Sequence, residues 1–144
     1  GKVNYPIQMM QMLYPDKEEH IKIQRREYVR IETKTDVAIR SDVQGFIPFT
    51  TVTEDISAGG SSIILPPGIN LIPEMIISIV IVIQLRTGET HYVKASCRVV
   101  RIIDQPEKVK TASLQFLDIS ENDRQYIIRF VFEKQLEQRN KGIM

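Results

Sequence analysis

One cysteine, two histidines and a net charge close to zero set the first limits on this chain. Cys97 alone excludes an internal disulfide framework and suits a reducing, cytoplasmic setting. With no histidine or aspartate paired to it in the sequence, it reads as small core filler. His20 has no second histidine or cysteine nearby, and His91 stands alone on a strand, so neither reads as a metal ligand. Nineteen basic residues against eighteen acidic ones leave a net charge of +1, which argues against broad binding to nucleic acid polymers or to a membrane surface. The run Met75–Leu85 falls short of the roughly 20 apolar residues that cross a bilayer as a helix. No signal-peptide pattern stands in the sequence. The opening is apolar and lacks an initiator methionine, so the chain is expected to be part of a longer protein.

What is present is a chain of 144 residues, 42% hydrophobic, long enough to bury a core as one domain. Six segments read as strands. Tyr28–Arg40 goes out, the turn Ser41-Asp42-Val43-Gln44-Gly45 follows, and Ile47–Ile56 returns. Ser61–Leu65 is short and is stopped by Pro66-Pro67-Gly68. Met75–Leu85 is apolar at nearly every position, so cover is expected on both faces: the core on one, a helix or a neighbouring chain on the other. His91–Ile103 and Lys110–Leu117 complete the set. Ser120-Glu121-Asn122-Asp123 then resembles a capping box and opens a helix to about Gln138, with Tyr126, Ile127, Phe130, Val131 and Lys134 or Leu136 as its apolar stripe. Upstream, Val3–Tyr14 reads as a strand or extended arm and Asp16–Gln24 as a charged linker.

Two polar segments stand out. Gln24-Arg25-Arg26-Glu27-Tyr28-Val29-Arg30 is a basic cluster at a strand start, and in an extended strand Arg26, Tyr28 and Arg30 share a face. Asp55-Ile56-Ser57-Ala58-Gly59-Gly60 carries a carboxylate and a hydroxyl on one face, then two glycines suited to positive φ and to close approach of a ligand. Either segment alone is more often an ordinary polar surface or turn. Together, at hairpin spacing, they form a site. Guanidiniums suit phosphate oxygens and the O6/N7 edge of guanine, and aspartate accepts from the N1–H and N2–H groups of guanine. That set fits a guanine nucleotide with phosphates. It lacks a nucleophile–base pair, a metal-ligand cluster and a matched acid and base, so no enzyme is expected.

Arg25-Arg26-Glu27-Tyr28-Val29-Arg30 resembles the RxxxR motif of PilZ domains, and Asp55-Ile56-Ser57-Ala58-Gly59-Gly60 matches that family's D/N-x-S-x-x-G motif. The resemblance runs from about Gln24 to Lys134. It implies a mainly β fold, a six-stranded antiparallel β-barrel with a C-terminal α-helix, acting as a bacterial receptor for cyclic di-GMP. Ile23–Arg30 also resembles the domain junction of YcgR-like flagellar brake proteins, including the MotI type. On that basis residues 1–15 are a remnant of an upstream domain or an arm, 16–24 a linker and 25–140 the PilZ domain. The implied ligand contacts are Arg25, Arg26, Arg30, Asp55, Ser57, Gly59 and Gly60, with Gly60 admitting the sugar-phosphate. Arg98 or Arg101 would add a phosphate contact. An arginine just before RxxxR, here Arg25, accompanies an intercalated ligand dimer in the family, so two cyclic di-GMP per chain are expected and no other cofactor. The implied partner is a stator or rotor protein of the flagellar motor, with recruitment there from the cytoplasm. The alternative is a ligand-independent barrel whose arginines dock an acidic partner.

Overall fold

The computed structural model describes residues 28–143, with side chains to residue 139. The expected arm Val3–Tyr14, the linker Asp16–Gln24 with His20, and the arginines Arg25 and Arg26 lie outside the described residues.

Seven strands and one helix follow in order: β1 Ile31–Glu32, β2 Asp36–Arg40, β3 Phe49–Ser57, β4 Gly60–Ile64, β5 Ile76–Gln84, β6 Thr90–Ile103, β7 Thr111–Ile119 and α1 Glu121–Ile143. Every pairing is antiparallel. Six strands close a ring in the order β3-β2-β5-β6-β7-β4, and β4 pairs back onto β3. Closure removes the open edges that would otherwise present unpaired backbone groups. β1 is a short extra rung on β3, with Ile31 opposite Ile56 and Glu32 opposite Asp55.

The single first strand expected over Tyr28–Arg40 is broken between β1 and β2. The cause is Thr53, wholly buried on β3. Its hydroxyl donates to the Thr33 carbonyl at 2.7 Å and accepts from the Thr35 amide at 3.0 Å. A side chain stands in for a rung of the ladder, and the chain steps around it.

Alternation builds the core. Along β5, Ile77, Ile79, Ile81 and Ile83 are at most 1% exposed. Val37 and Ile39 of β2, Ile56 of β3, Ile63 of β4, Val93, Cys97 and Val99 of β6, and Ala112 and Leu114 of β7 meet them inside. α1 packs against β6, β3, β5 and β1. Its buried residues are Ile127, Phe130 and Val131; Tyr126 and the expected last stripe position, Lys134 or Leu136, are half-buried. The expected second cover on β5 is not found among the described residues: Val80 and Val82 face outward half-exposed, and Ile76 is exposed. α1 does not cover this outer face, whose β-branched residues also suit strand preference.

Ser120 caps α1, its hydroxyl accepting from the Asp123 amide at 3.0 Å. The return half of the expected capping box does not form. The Asp123 carboxylate instead meets His91 Nε2 at 2.7 Å and accepts from the Lys94 amide at 3.1 Å. His91 also stacks on Tyr126, ring centroids 3.8 Å apart. These contacts tie α1 to β6. The helix runs on to Ile143, past the end expected near Gln138. Among the described residues no helix is long and apolar enough to cross a membrane.

Burial pushes the Cys97 thiol up from its ordinary 9.0 to about 12. The folded state therefore holds a proton that the unfolded chain releases first. This contribution to stability is fully present below about pH 9 and is lost as pH rises towards about 12. Native protein should resist thiol alkylation at mildly alkaline pH and react readily once denatured, which mass spectrometry of the labelled chain reads directly. Rapid labelling of the native protein would contradict a sealed barrel interior.

Candidate functional site

The hairpin between β1 and β3 brings the two polar segments together. Arg30 Nη1 lies 3.1 Å from Asp55 Oδ1, across a separation of 25 residues. The same oxygen accepts from the Ser62 amide of β4 at 3.1 Å. Asp55 is thereby fixed from both sides, by Arg30 just ahead of β1 and by β4. Oδ2 has no hydrogen bond among the described residues and remains an acceptor for a ligand N–H edge. The Arg30 side chain is 38% exposed and that of Asp55 15%. A pair this wet contributes at most about 1 kcal/mol to folding.

Ser57 is turned inward and is nearly buried. Its hydroxyl accepts from the Gly59 and Gly60 amides, each at 3.1 Å, and donates to the Gly60 carbonyl at 3.2 Å. It holds the β3–β4 turn together, and its hydroxyl is spent there. The two glycines differ from expectation. The positive-φ glycines among the described residues are Gly45, Gly68 and Gly88; Gly59 and Gly60 are not in the left-handed region. Space, not φ, demands glycine at 60 and makes position 59 tight. A Cβ on Gly60 would sit 2.2 Å from the Leu114 carbonyl oxygen of β7. A Cβ on Gly59 would sit 3.1 Å from the Tyr28 ring.

From this turn a polar strip crosses the outer wall. Asp55 lies opposite Ser62, Ser62 opposite Ser113, and Ser113 opposite Arg101. The neighbouring row runs from Gly60 to Gln115 to Arg98. Two strand spacings separate Arg98 from Gly60, about 10 Å. Arg98 is occupied: Nε and Nη2 donate to Gln115 Oε1 at 3.1 and 2.8 Å, and Nη1 meets Glu74 Oε2 at 2.7 Å. Glu74 adopts φ 76, an uncommon conformation for a residue with a side chain. Arg101 is exposed and has no ion-pair partner among the described residues. The strip thus brings together Arg30, Asp55, Ser57, Gly59 and Gly60, and leaves Arg98 two strands away.

Sequence reasoning missed Arg124. It stands at the first turn of α1 and reaches back to the site. Nη1 donates to the Ala58 carbonyl at 3.0 Å and to the Tyr28 hydroxyl at 3.1 Å. The guanidinium carbon lies 5.4 Å from the centre of the Tyr28 ring. The one sequence signal was a cation near a helix N-terminus, where the dipole favours acids.

The family model of the PilZ domain matches residues 24–133. The chain belongs to the PilZ family, whose domains are non-catalytic cyclic di-GMP receptors. It is 31% identical over 146 residues to the Bacillus subtilis (strain 168) protein YpfA, across the whole of this chain and 65% of that one. Among solved structures it is similar to the Bacillus subtilis inhibitor of motility, MotI/DgrA, with a TM-score of 0.71 and 26% identity over 81% of this chain and 54% of that one. Escherichia coli YcgR in complex with c-di-GMP shares the fold, with a TM-score of 0.60 and 19% identity over 82% of this chain and 49% of that one. The chain therefore spans about half to two thirds of these relatives.

The turn gives a direct test. Ser57→Ala leaves two amides and a carbonyl without their partner and should cost about 1–3 kcal/mol. Gly60→Ala forces β4 off β7 and should cost about 3 kcal/mol or more. Denaturant midpoints measure both; an unchanged Gly60→Ala midpoint would show that the strands do not approach as closely as described.

Proposed function

We propose that this chain is a cyclic di-GMP receptor whose ligand-driven change of conformation restrains flagellar rotation through a motor protein. The observation that carries the receptor reading is the Arg30–Asp55 contact, made by the signature residues of both motifs. Surface ion pairs are worth little to folding. Two charged groups held at an open wall, one of them with a spare carboxylate oxygen, are better accounted for by a ligand. Arg30 would meet phosphate oxygens, and Asp55 would accept from one guanine.

Arg25 and Arg26 would complete the clamp from the chain just ahead of Tyr28. With an arginine at 25, the reading extends to two cyclic di-GMP per chain. Arg98 joins only by giving up Glu74, whereas Arg101 is already open to an anion. The motility role is supported by the 26% identity to a protein described as an inhibitor of motility. Engagement of the basic segment by ligand would reorient whatever precedes it, a conformational switch acting on the motor from the cytoplasm.

Titration calorimetry with cyclic di-GMP tests the receptor. Arg30→Ala should lose about 2–4 kcal/mol of affinity, roughly thirty-fold to nearly a thousand-fold, with stability changed by less than about 1 kcal/mol. Stoichiometry near two supports the ligand dimer, and near one discards it. Equal affinity for GMP, GTP and cyclic di-GMP would replace the receptor with a basic surface for an acidic partner. Unchanged affinity in folded Arg30→Ala would remove Arg30 from the site.

A further inference from the structure

We infer that Arg124 of α1 is a positioning residue for the ligand site, acting through Tyr28; this rests on the receptor reading above. Its side chain leaves the helix, crosses to the β3–β4 turn and touches two separate pieces of the site with one nitrogen. One is Ala58, the carbonyl at the centre of the Asp55–Gly60 motif; the other is Tyr28, the middle of the basic motif. The guanidinium also lies against the Tyr28 ring, a cation–π contact. The ring in turn rests on Gly59, close enough that a methyl group there would crowd it. Arg124 has a further, longer contact with Glu121 Oε1 at 3.8 Å, which orients it from within the helix.

The segment 28–32 is therefore fastened at three points. Tyr28 is held by Arg124 and Gly59, Arg30 by Asp55, and Ile31–Glu32 by the rung on β3. Only the first fastening lies upstream of Arg30. Whatever holds Tyr28 thus limits the path by which the chain reaches Arg30. Arg124 does not belong to either motif, and it is already occupied by Tyr28 and Ala58, so its effect on ligand passes through the tyrosine. The same contact makes α1 a part of the site: displacement of Tyr28 by an incoming ligand releases Arg124, and a shift of α1 moves Tyr28.

The test is calorimetry of the whole chain with cyclic di-GMP for wild type, Arg124→Ala, Tyr28→Phe and the double variant, each at two salt concentrations and with a thermal melt alongside. Tyr28→Phe removes only the hydroxyl that meets Arg124. Each single variant should weaken binding by about tenfold, and the double variant no further than Arg124→Ala alone. The salt dependence of affinity should be that of wild type in Arg124→Ala and shallower in Arg30→Ala, because Arg30 meets phosphate and Arg124 does not. Wild-type affinity in Arg124→Ala, with Arg30→Ala impaired, overturns the inference and leaves the receptor reading standing. Additive losses in the double variant overturn the route through Tyr28. A shallower salt dependence in Arg124→Ala makes it a direct ligand contact and also overturns it. If Arg124→Ala fails to fold, wild-type affinity in Tyr28→Phe is sufficient to overturn it. Absence of binding by the wild type overturns this inference together with the receptor reading.

Discussion

β3 is hydrogen-bonded along both edges, to β2 and β1 on one side and to β4 on the other, and the barrel closes only because the chain can reverse at its end. That reversal is the Ser57–Gly60 turn. Ser57 supplies its hydroxyl to two amides inside a nearly closed turn, and Gly60 lets β4 approach the Leu114 carbonyl of β7 where no side chain would fit. Removing either weakens the hold of β4 between β3 and β7. The residues that resemble a nucleotide signature are therefore, in the first instance, the closure of a barrel.

The site uses that closure as a rigid platform. Asp55 stands on β3, held by the Ser62 amide of β4, and its position is set by the same pairing that shuts the ring. Arg30 reaches it from a short rung that exists because Thr53 diverts the chain. The energies divide accordingly. Buried hydrogen bonds and close packing at Ser57, Thr53 and Gly60 carry stability, whereas the exposed Arg30–Asp55 pair contributes little to it. Binding and folding thus draw on different atoms of one short stretch.

Much of this was legible in the sequence. Six strands and a helix follow from two periodicities, and the pairing of the two motifs follows from hairpin spacing. The missing parts share a cause: they depend on groups remote in sequence. The break in the first strand is made by a threonine some twenty residues away, whose burial no local pattern announces. Glycine at 59 and 60 was expected for backbone torsion and for close approach of a ligand, but at 60 the demand comes from β7 and at 59 the space is narrowed by Tyr28. The Asp123 carboxylate, suited by spacing to a capping box, is taken by His91 and the Lys94 amide. Apolar residues on both faces of β5 pointed to two covers, and α1 is not the one on the outer face. Arg124 carries no motif at all; only the fold brings it to Ala58 and Tyr28.

The central claim is that one wall of the barrel, built by the β3–β4 turn and the segment 28–32, receives cyclic di-GMP. Amide hydrogen exchange with and without the ligand tests it most directly, since it reports every backbone position at once. The account predicts protection gained at 28–32 and at the Gly59, Gly60 and Ser62 amides, with the β5 wall unchanged. Protection gained on the β5 wall, with 28–32 and 55–62 unaltered, would contradict it.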